Sequence, residues 1–428
     1  MRLFIRSLLL TLLAVAARAV IRRYRPLVVM VTGSVGKTST KDAAAAVLGQ
    51  HFLVRKSEKS FNSNIGVPLT ILGVKNPWSN PFKWLGILLR ACILLLTYRP
   101  YPKLLVLEVG ADQPGDLAEI FMIVRPDVTV VTLLPEVPVH VEAYENPEAV
   151  RQEEFSPARV LATGAPLIYN SRDAYASRYA EEGTATPYTF GMDADAHVNI
   201  VDVRIWEEDG VLLGMQAELI VRETSYPIRV QQAVGTSQLY APAAAVATGL
   251  ALGMGMSEIL KGLDSYVPPP GRGRVFKGKK HMALIDDTYN SSPAATEEIL
   301  RSLPRIPTSG RRVAILGDML ELGEYSLAEH ARMGHIAAET VDVLVTVGER
   351  ARAAAAAARA DGMPADAVYE FPTSIAAVAT LEEILREGDC VLIKGSQGVR
   401  MERIVRPFLQ DLSDVPHLVR QDAEWQRR

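Results

Sequence analysis

The chain has 428 residues, and its 46 Lys and Arg against 49 Asp and Glu form no dense basic stripe, which argues against nucleic acid as the main partner. Apolar residues make up 48% of it, ample for the cores of two or three domains, and no repeat or low-complexity tract interrupts them. Only Cys92 and Cys390 are present, so a disulfide framework is excluded and a reducing compartment fits.

The first segment, Leu8 to Ala17, is strongly apolar but closely bracketed by Arg2, Arg6, Arg18, Arg22, Arg23 and Arg25. The run is shorter than the ~20 residues a spanning helix needs. A second apolar segment, Trp84 to Tyr98, is broken by Arg90. Two arginine-bearing helices of this kind, at residues 3–21 and 84–98, suit in-plane contact with a membrane. They suit equally well two helices packed on each other over a domain face.

Between them lies the richest stretch of the chain, Val28-Val29-Met30-Val31-Thr32-Gly33-Ser34-Val35-Gly36-Lys37-Thr38-Ser39. A buried strand that turns through glycines into a helix presents free backbone N–H groups to an anion. Lys37 adds a point charge for the outer phosphates, and the Thr38 hydroxyl can sit on Mg²⁺. The loop is the short form of a P-loop, with Val31 where the usual first glycine would stand. The reading is an ATP site built from Gly33, Ser34, Val35, Gly36, Lys37, Thr38 and Ser39. A secretory signal at the N-terminus would part that loop from its ATP, so the expected location is cytoplasmic, with the inner face of the membrane as the alternative setting.

A helix continues over Lys41 to Leu48, and buried strands follow at Leu104 to Gly110, Val128 to Leu134 and Pro166 to Asn170. Helical patterns between them predict a parallel sheet covered on both faces. From Ala196 to Val230 the pattern alternates around Glu-Asp-Gly, which predicts antiparallel strands added to that sheet. Helices over Tyr240 to Leu252 and Ser257 to Leu263 lead to the linker Val267-Pro268-Pro269-Pro270-Gly271-Arg272-Gly273-Arg274. Beyond it, strands Ala283–Asp286, Val313–Leu316, Val343–Val347 and Cys390–Ile393 alternate with helices. The expected architecture is α/β: an N-terminal helix over 1–25, a central P-loop domain with a mostly parallel sheet over 26–272, and a Rossmann-like C-terminal domain over 273–428. Ligands would gather at the carboxyl ends of the strands.

Polar residues cluster at those ends. Glu108 closes an apolar strand in the P-loop sheet, where a Mg²⁺ ligand for bound nucleotide would sit. His140-Val141-Glu142 follows the next strand; a loop histidine is a solvated one by default, and Glu108 nearby is what makes His140 a candidate for a second metal or an acceptor amine. In the C-terminal half, Asp286-Asp287-Thr288-Tyr289-Asn290-Ser291-Ser292-Pro293, Gly317 to Gly323 and Lys394-Gly395-Ser396-Gln397-Gly398 each follow a strand. One such cluster could be a helix cap. Three in one sheet describe the rim of a binding site.

Taken in order, the segments from Thr32 to Thr38, Asn62 to Thr70, Leu107 to Ala111, His140 to Glu142, Gly271-Arg272, Asp286 to Pro293, Gly317 to Gly323 and Lys394 to Ser396 resemble the Mur ligase family. The resemblance covers Leu27 to Pro407 and is strongest to the branch that adds D-Ala-D-Ala to a muramoyl peptide. It implies an ATP-dependent ligase of cell-wall precursor synthesis, in which a carboxylate is phosphorylated and the acyl phosphate is attacked by an amine. Lys37, His140 and Arg272 would be catalytic, Thr38, Glu108 and His140 would hold metal, and Arg272, Asp287, Tyr289 and Asn290 would join the P-loop around ATP. The partners implied are a muramoyl-peptide acceptor and a D-Ala-D-Ala-like amino substrate, with the protein a monomer.

Three departures from the family pattern stand out. Little but the Arg-flanked segment precedes the P-loop, where the family has a domain for the uridine nucleotide of the substrate. No lysine follows His140 where most members carry a carbamylated one: Gln152 takes its place, and Glu153 or Glu154 is the candidate substitute. Ala241 stands where an asparagine usually meets adenine. Two other readings stay open, a poly-γ-glutamate synthetase-like ligase and a nucleotide-binding partner subunit without catalysis.

Overall fold

A computed structural model describes residues 2–58, 62–76, 81–97, 99–208, 211–422 and 425, for residues 2–8, 81 and 82 the backbone only. Fifteen strands among the described residues form two sheets. The first contains β1 (Leu27–Thr32), β2 (Val54–Lys56), β3 (Leu104–Glu108), β4 (Val128–Val131), β5 (Pro166–Asn170), β6 (Thr186–Gly191), β7 (Val198–Glu208), β8 (Val211–Val221) and β9 (Thr224–Gln231), in the order β2-β3-β1-β4-β5-β6-β7-β8-β9. Pairing is parallel as far as β7, and β7, β8 and β9 then run antiparallel. The second sheet contains β10 (Arg274–Lys277), β11 (Ala283–Asp287), β12 (Arg312–Gly317), β13 (Val343–Val347), β14 (Val368–Phe371) and β15 (Cys390–Lys394), in the order β10-β11-β15-β12-β13-β14. Only β10 is antiparallel to its neighbour.

The α/β class and the antiparallel addition after Ala196 are as the sequence predicts. The short strands β2, β6, β10 and β14 are not foreseen. Each carries at least one partly or fully exposed position, so none shows the unbroken apolar run that marks a central strand.

The helices are α1 (Arg2–Tyr24), α2 (Lys37–Leu48), α3 (Gly66–Leu72), α4 (Pro81–Leu96), α5 (Asp116–Phe121), α6 (Pro147–Arg159), α7 (Ala174–Glu181), α8 (Tyr240–Ala251) and α9 (Met256–Asp264) around the first sheet. Around the second lie α10 (Pro293–Ser302), α11 (Ser326–Thr340), α12 (Arg352–Ala360), α13 (Ser374–Ile384) and α14 (Glu402–Phe408). Strand alternation sorts the first sheet's two faces. Val29, Val31, Leu104 and Val106 face the core shared with α2 and α8. Val28, Met30, Leu105 and Leu107 face the core shared with α1, α3 and α4.

Small residues let the helices on the first of these faces approach closely. A Cβ on Gly262 of α9 would come within 2.5 Å of Val47 Cα on α2. The alanine-rich α2 is held there between sheet and helices, which gives the residues at its amino end a rigid base. Among the described residues no helix is long and apolar enough to cross a membrane. Of the segment 84–98, Tyr98 lies outside the described residues.

Candidate active site

β1 delivers the chain into a turn whose glycines both take left-handed backbone, Gly33 at φ 113° and Gly36 at φ 87°. A side chain at Gly33 would strike Thr132 Oγ1 at 2.5 Å, so only glycine lets this turn lie against the end of β4. Gly36 caps α2 without any side-chain hydrogen bond, leaving the helix's first N–H groups aimed at the cleft.

Thr38 Oγ1 donates to Glu108 Oε1 at 3.1 Å, joining the helix start to the end of β3. The other carboxylate oxygen, Oε2, is buried and has no hydrogen-bond partner, with the buried Lys41 ammonium 3.6 Å away. A hydroxyl and a half-satisfied carboxylate form a hard-oxygen pair of the kind Mg²⁺ takes from a protein when phosphates and water complete its shell. Thr38 and Glu108 therefore fit that ion. Lys41, one helical turn beyond Lys37 and on the same face, was not singled out from the sequence; the i, i+4 spacing was the available signal.

Lys37 folds back in this structure, its ammonium donating to the Gly33 carbonyl and lying 3.7 Å from Glu154 Oε1. Glu154 is buried and also accepts from the Ser34 hydroxyl, while its backbone carbonyl accepts from Thr32 Oγ1 at 2.6 Å. Burial raises the Glu154 carboxyl above the usual range, against the opposing pull of Lys37 and Ser34. Of the three residues considered from the sequence at this place, Glu154 alone faces the P-loop. Gln152 lies outward, donating to Glu148 Oε1 at 3.2 Å, and Glu153 Oε1 accepts from the backbone N–H of Leu117 at 3.0 Å.

His140 stands across the cleft with left-handed backbone at φ 66°. Its Nδ1 lies 2.9 Å from Glu321 Oε2 and its Nε2 lies 3.5 Å from Asp112 Oδ1. Burial by itself would lower the imidazole pKa, but the hydrogen bond and charge of Glu321, helped by Asp112, outweigh it and hold the pKa above the usual value. Both ring nitrogens thus face carboxylates, and Glu321 reaches His140 from the loop after β12 of the other sheet. Among the described residues no group of three or more His, Cys, Asp or Glu side chains is arranged to hold a metal.

The linker brings Arg272 between the two sheets. Its guanidinium stacks over the Tyr289 ring, 4.0 Å from the centroid, and Nη2 is 3.5 Å from Thr38 Oγ1. Asp287 accepts from the Gly273 N–H at 3.1 Å and from Lys394 Nζ at 2.6 Å. Asn290 adds its carbonyl to Lys394 at 3.2 Å and its side-chain oxygen to the Gln397 N–H at 3.4 Å. The ends of β11 and β15 are thereby knitted together, and the Leu320 N–H, donating to Ser396 Oγ at 2.9 Å, adds the loop after β12 to the same rim.

Two adjoining cavities result. One of about 670 Å³ contains Lys37, Thr38, Glu108, His140, Arg272 and Tyr289. The other, about 150 Å³, runs from Ser34, Val35, Gly36 and Ser39 past Ala241 to Asp287 and Asn290. Of the residues expected to be catalytic or to hold ATP or metal, all but Gly33 line one cavity or both. In the second cavity Glu298 of α10 accepts from Ser237 N at 3.0 Å and Ser237 Oγ at 2.6 Å, a contact between the two halves that the sequence does not announce.

Residues 271–397 match the family model described as Mur ligase, glutamate ligase domain. The chain is 26% identical over 407 residues to the UDP-N-acetylmuramoyl-tripeptide–D-alanyl-D-alanine ligase of Bacillus subtilis, covering 94% of this chain and 80% of the relative. It is 28% identical to the enzyme of the same name from Synechocystis, over 91% and 76% of the two chains. In fold it is similar to the MurF ligase of Thermotoga maritima in complex with ADP, with a TM-score of 0.76 at 24% identity over 95% of this chain and 84% of that one. The P-loop sheet, the linker arginine and the second sheet's rim occur here in one chain that is similar, along nearly all its length, to the MurF-type Mur ligases.

Proposed function

We propose that this protein is an ATP-dependent ligase of peptidoglycan precursor synthesis that joins D-Ala-D-Ala, or a similar amino substrate, to the carboxylate of a muramoyl peptide. The observation that carries the reading is the single cleft in which the P-loop lysine, the linker arginine and the rim of the second sheet face one another. A carboxylate oxygen of the acceptor attacks the γ-phosphorus of ATP, and ADP leaves. The amine then attacks the acyl carbonyl, phosphate leaves, and the amine's proton passes to solvent or base.

Lys37, freed from Gly33, would neutralise the transferred phosphoryl group, and Arg272 would reach the same oxygens from the linker. Thr38 and Glu108 would hold Mg²⁺, which supplies charge neutralisation on the phosphates. Asp287, Tyr289 and Asn290 would orient the nucleotide and the incoming amine, with Asp287 acting through Lys394 and the linker. His140 would belong to the acceptor side of the cleft, poised by Glu321. A cytoplasmic monomer belongs to the same reading, since the reaction consumes ATP and one chain supplies the whole cleft.

The test is ADP formation by the purified protein with Mg²⁺, a muramoyl tripeptide and either D-Ala-D-Ala or L-glutamate, with the product weighed by mass spectrometry. A product heavier by one dipeptide, absent from a Lys37→Ala control, is the expected result. Turnover with L-glutamate alone would transfer the protein to the poly-γ-glutamate class. ATP binding without product from either amine would make it a non-catalytic nucleotide-binding subunit.

A further inference from the structure

The most unusual surface of the molecule lies away from the cleft, on α4 and α1. On α4, Leu85, Leu89, Cys92 and Leu96 fall at i, i+4, i+7 and i+11, a single stripe, and all are exposed, the leucines by 67%, 62% and 82%. The opposite stripe, Ile87, Ala91 and Leu94, is buried in the core beneath. α1 packs alongside, burying Leu13, Ala17 and Val20 and leaving Leu12 and Val15 exposed. These helices are apolar on the side that meets the sheet and apolar again on the side that meets solvent.

Charge on this part of the chain is equally one-sided. Residues 1–107 contain 16 Lys and Arg but only two acids, Asp42 and Glu58, although the whole chain has more acids than bases. Asp42 is engaged by Lys56 at 2.7 Å and Lys41 at 3.4 Å. The cations adjoin the stripe at one end. Exposed Arg22, Arg23, Arg25 and Arg99 gather where the carboxyl ends of the two helices meet, whereas exposed Lys83 and Arg90 lie about 130–150° around α4 from the leucines. That meeting is fixed by Tyr24 Oη donating to the Leu94 carbonyl at 2.9 Å and by Arg23 Nη2 donating to the Thr97 carbonyl at 3.4 Å.

We propose that the α1–α4 face docks on an anionic lipid surface, with the leucines of α4 entering the acyl boundary and the arginines meeting the headgroups. An apolar stripe alone would suit many occupants. Paired with a cationic cluster at its end it suits one that is both greasy and polyanionic, which is a lipid bilayer. Nucleic acid would be read by polar and aromatic groups, not by a row of leucines. α4 spans 16 residues and carries Arg90, so it lies in the interface plane and does not cross.

The topology keeps this face clear of the chemistry. α1 runs into the start of β1 and α4 is followed by β3, so the basic helix ends lie at the strands' amino edge, opposite Lys37 and Glu108 at the carboxyl edge. A bilayer held there leaves the cleft open to ATP.

The experiment is co-sedimentation of the full chain with vesicles of phosphatidylcholine containing 30% phosphatidylglycerol, compared with phosphatidylcholine alone, at low and high salt. Binding to the anionic vesicles should be at least tenfold tighter and should weaken as salt rises. Leu85→Glu with Leu89→Glu and Leu96→Glu should abolish it while leaving the melting curve and ATP turnover with soluble substrates unchanged. Arg22→Gln, Arg23→Gln and Arg25→Gln together should weaken it through the charge component alone. No binding by the wild type overturns the proposal, as does a leucine variant that binds equally well. So does a wild-type dimer in sedimentation equilibrium that the leucine variant dissolves, because the stripe would then be a contact between two copies.

Discussion

Glu154 on α6 places its carboxylate 3.7 Å from the Lys37 ammonium on α2 and accepts the Ser34 hydroxyl as well. Two residues of the phosphate loop are therefore referred to one buried acid. Glu154→Gln keeps the shape and an acceptor for Ser34 but removes the charge that steadies Lys37. Misplacing a catalytic group by about 1 Å costs on the order of 100-fold, so kcat for ATP turnover should fall by about 10- to 100-fold. Steady-state kinetics checks this; a loss smaller than threefold would reduce Glu154 to a structural anchor.

Glu108 Oε2 is buried without a hydrogen-bond partner and faces the buried Lys41 ammonium at 3.6 Å, so its loss should register in metal dependence as well as in folding. Glu108→Gln retains an oxygen for Thr38 and should raise the Mg²⁺ concentration for half-maximal turnover by about tenfold, corresponding to ~1.4 kcal/mol. A chelator should stop turnover by the wild type without unfolding it. Titration of activity with Mg²⁺, followed by circular dichroism in the chelator, measures both.

The Asp287–Lys394 pair carries a structural load. Lys394 is 2% exposed and its ammonium depends on Asp287 and the Asn290 carbonyl. Asp287→Ala would strand a buried charge, at a cost of about 3 kcal/mol, and would free the Gly273 N–H of the linker. Thermal and urea unfolding should show the loss. Replacing both partners, Asp287→Leu with Lys394→Met, should recover most of it.

Asp286 makes stability depend on pH. Burial pushes its carboxyl up to about 7, against hydrogen bonds from the Thr288 side chain and backbone that pull the other way. In the unfolded chain the group titrates near the ordinary value of about 3.9. Its stabilising contribution is therefore complete below about pH 4 and is lost as pH rises through about 7. Asp286→Asn carries no such dependence, so its melting temperature relative to wild type should climb between pH 4 and 7 and then level. A constant difference across that range would show that Asp286 ionises in the fold as it does in the open chain.

The residues at strand ends were legible because their chemistry and position coincide: Lys37 and Thr38 after β1, Glu108 closing β3, Asp287 closing β11. Glu154 was harder, since its role depends on helix phase. Gln152 and Glu154 are about 200° apart around α6, and only Glu154 shares the face of Val150 and Ala158 that packs inward. Reading that apolar spacing would have separated the two. Gly317 to Gly323 is legible as part of the rim, but the pairing of Glu321 with His140 is not, for another reason. Glu321 meets His140 only because two sheets are docked across the linker, and nothing local to Gly317 to Gly323 specifies that docking.

β15 lies between β11 and β12, although it comes more than seventy residues after both in the chain. During synthesis the first two strands must wait with facing edges unpaired, a state prone to wrong pairing. Lys394 arrives with the strand that closes this gap, so the cavity beside the P-loop and the finished sheet come into being together. A ribosome-bound chain that stops short of Cys390 should hold the P-loop half folded and the other half open, with no competence to turn over ATP until its last strand is inserted.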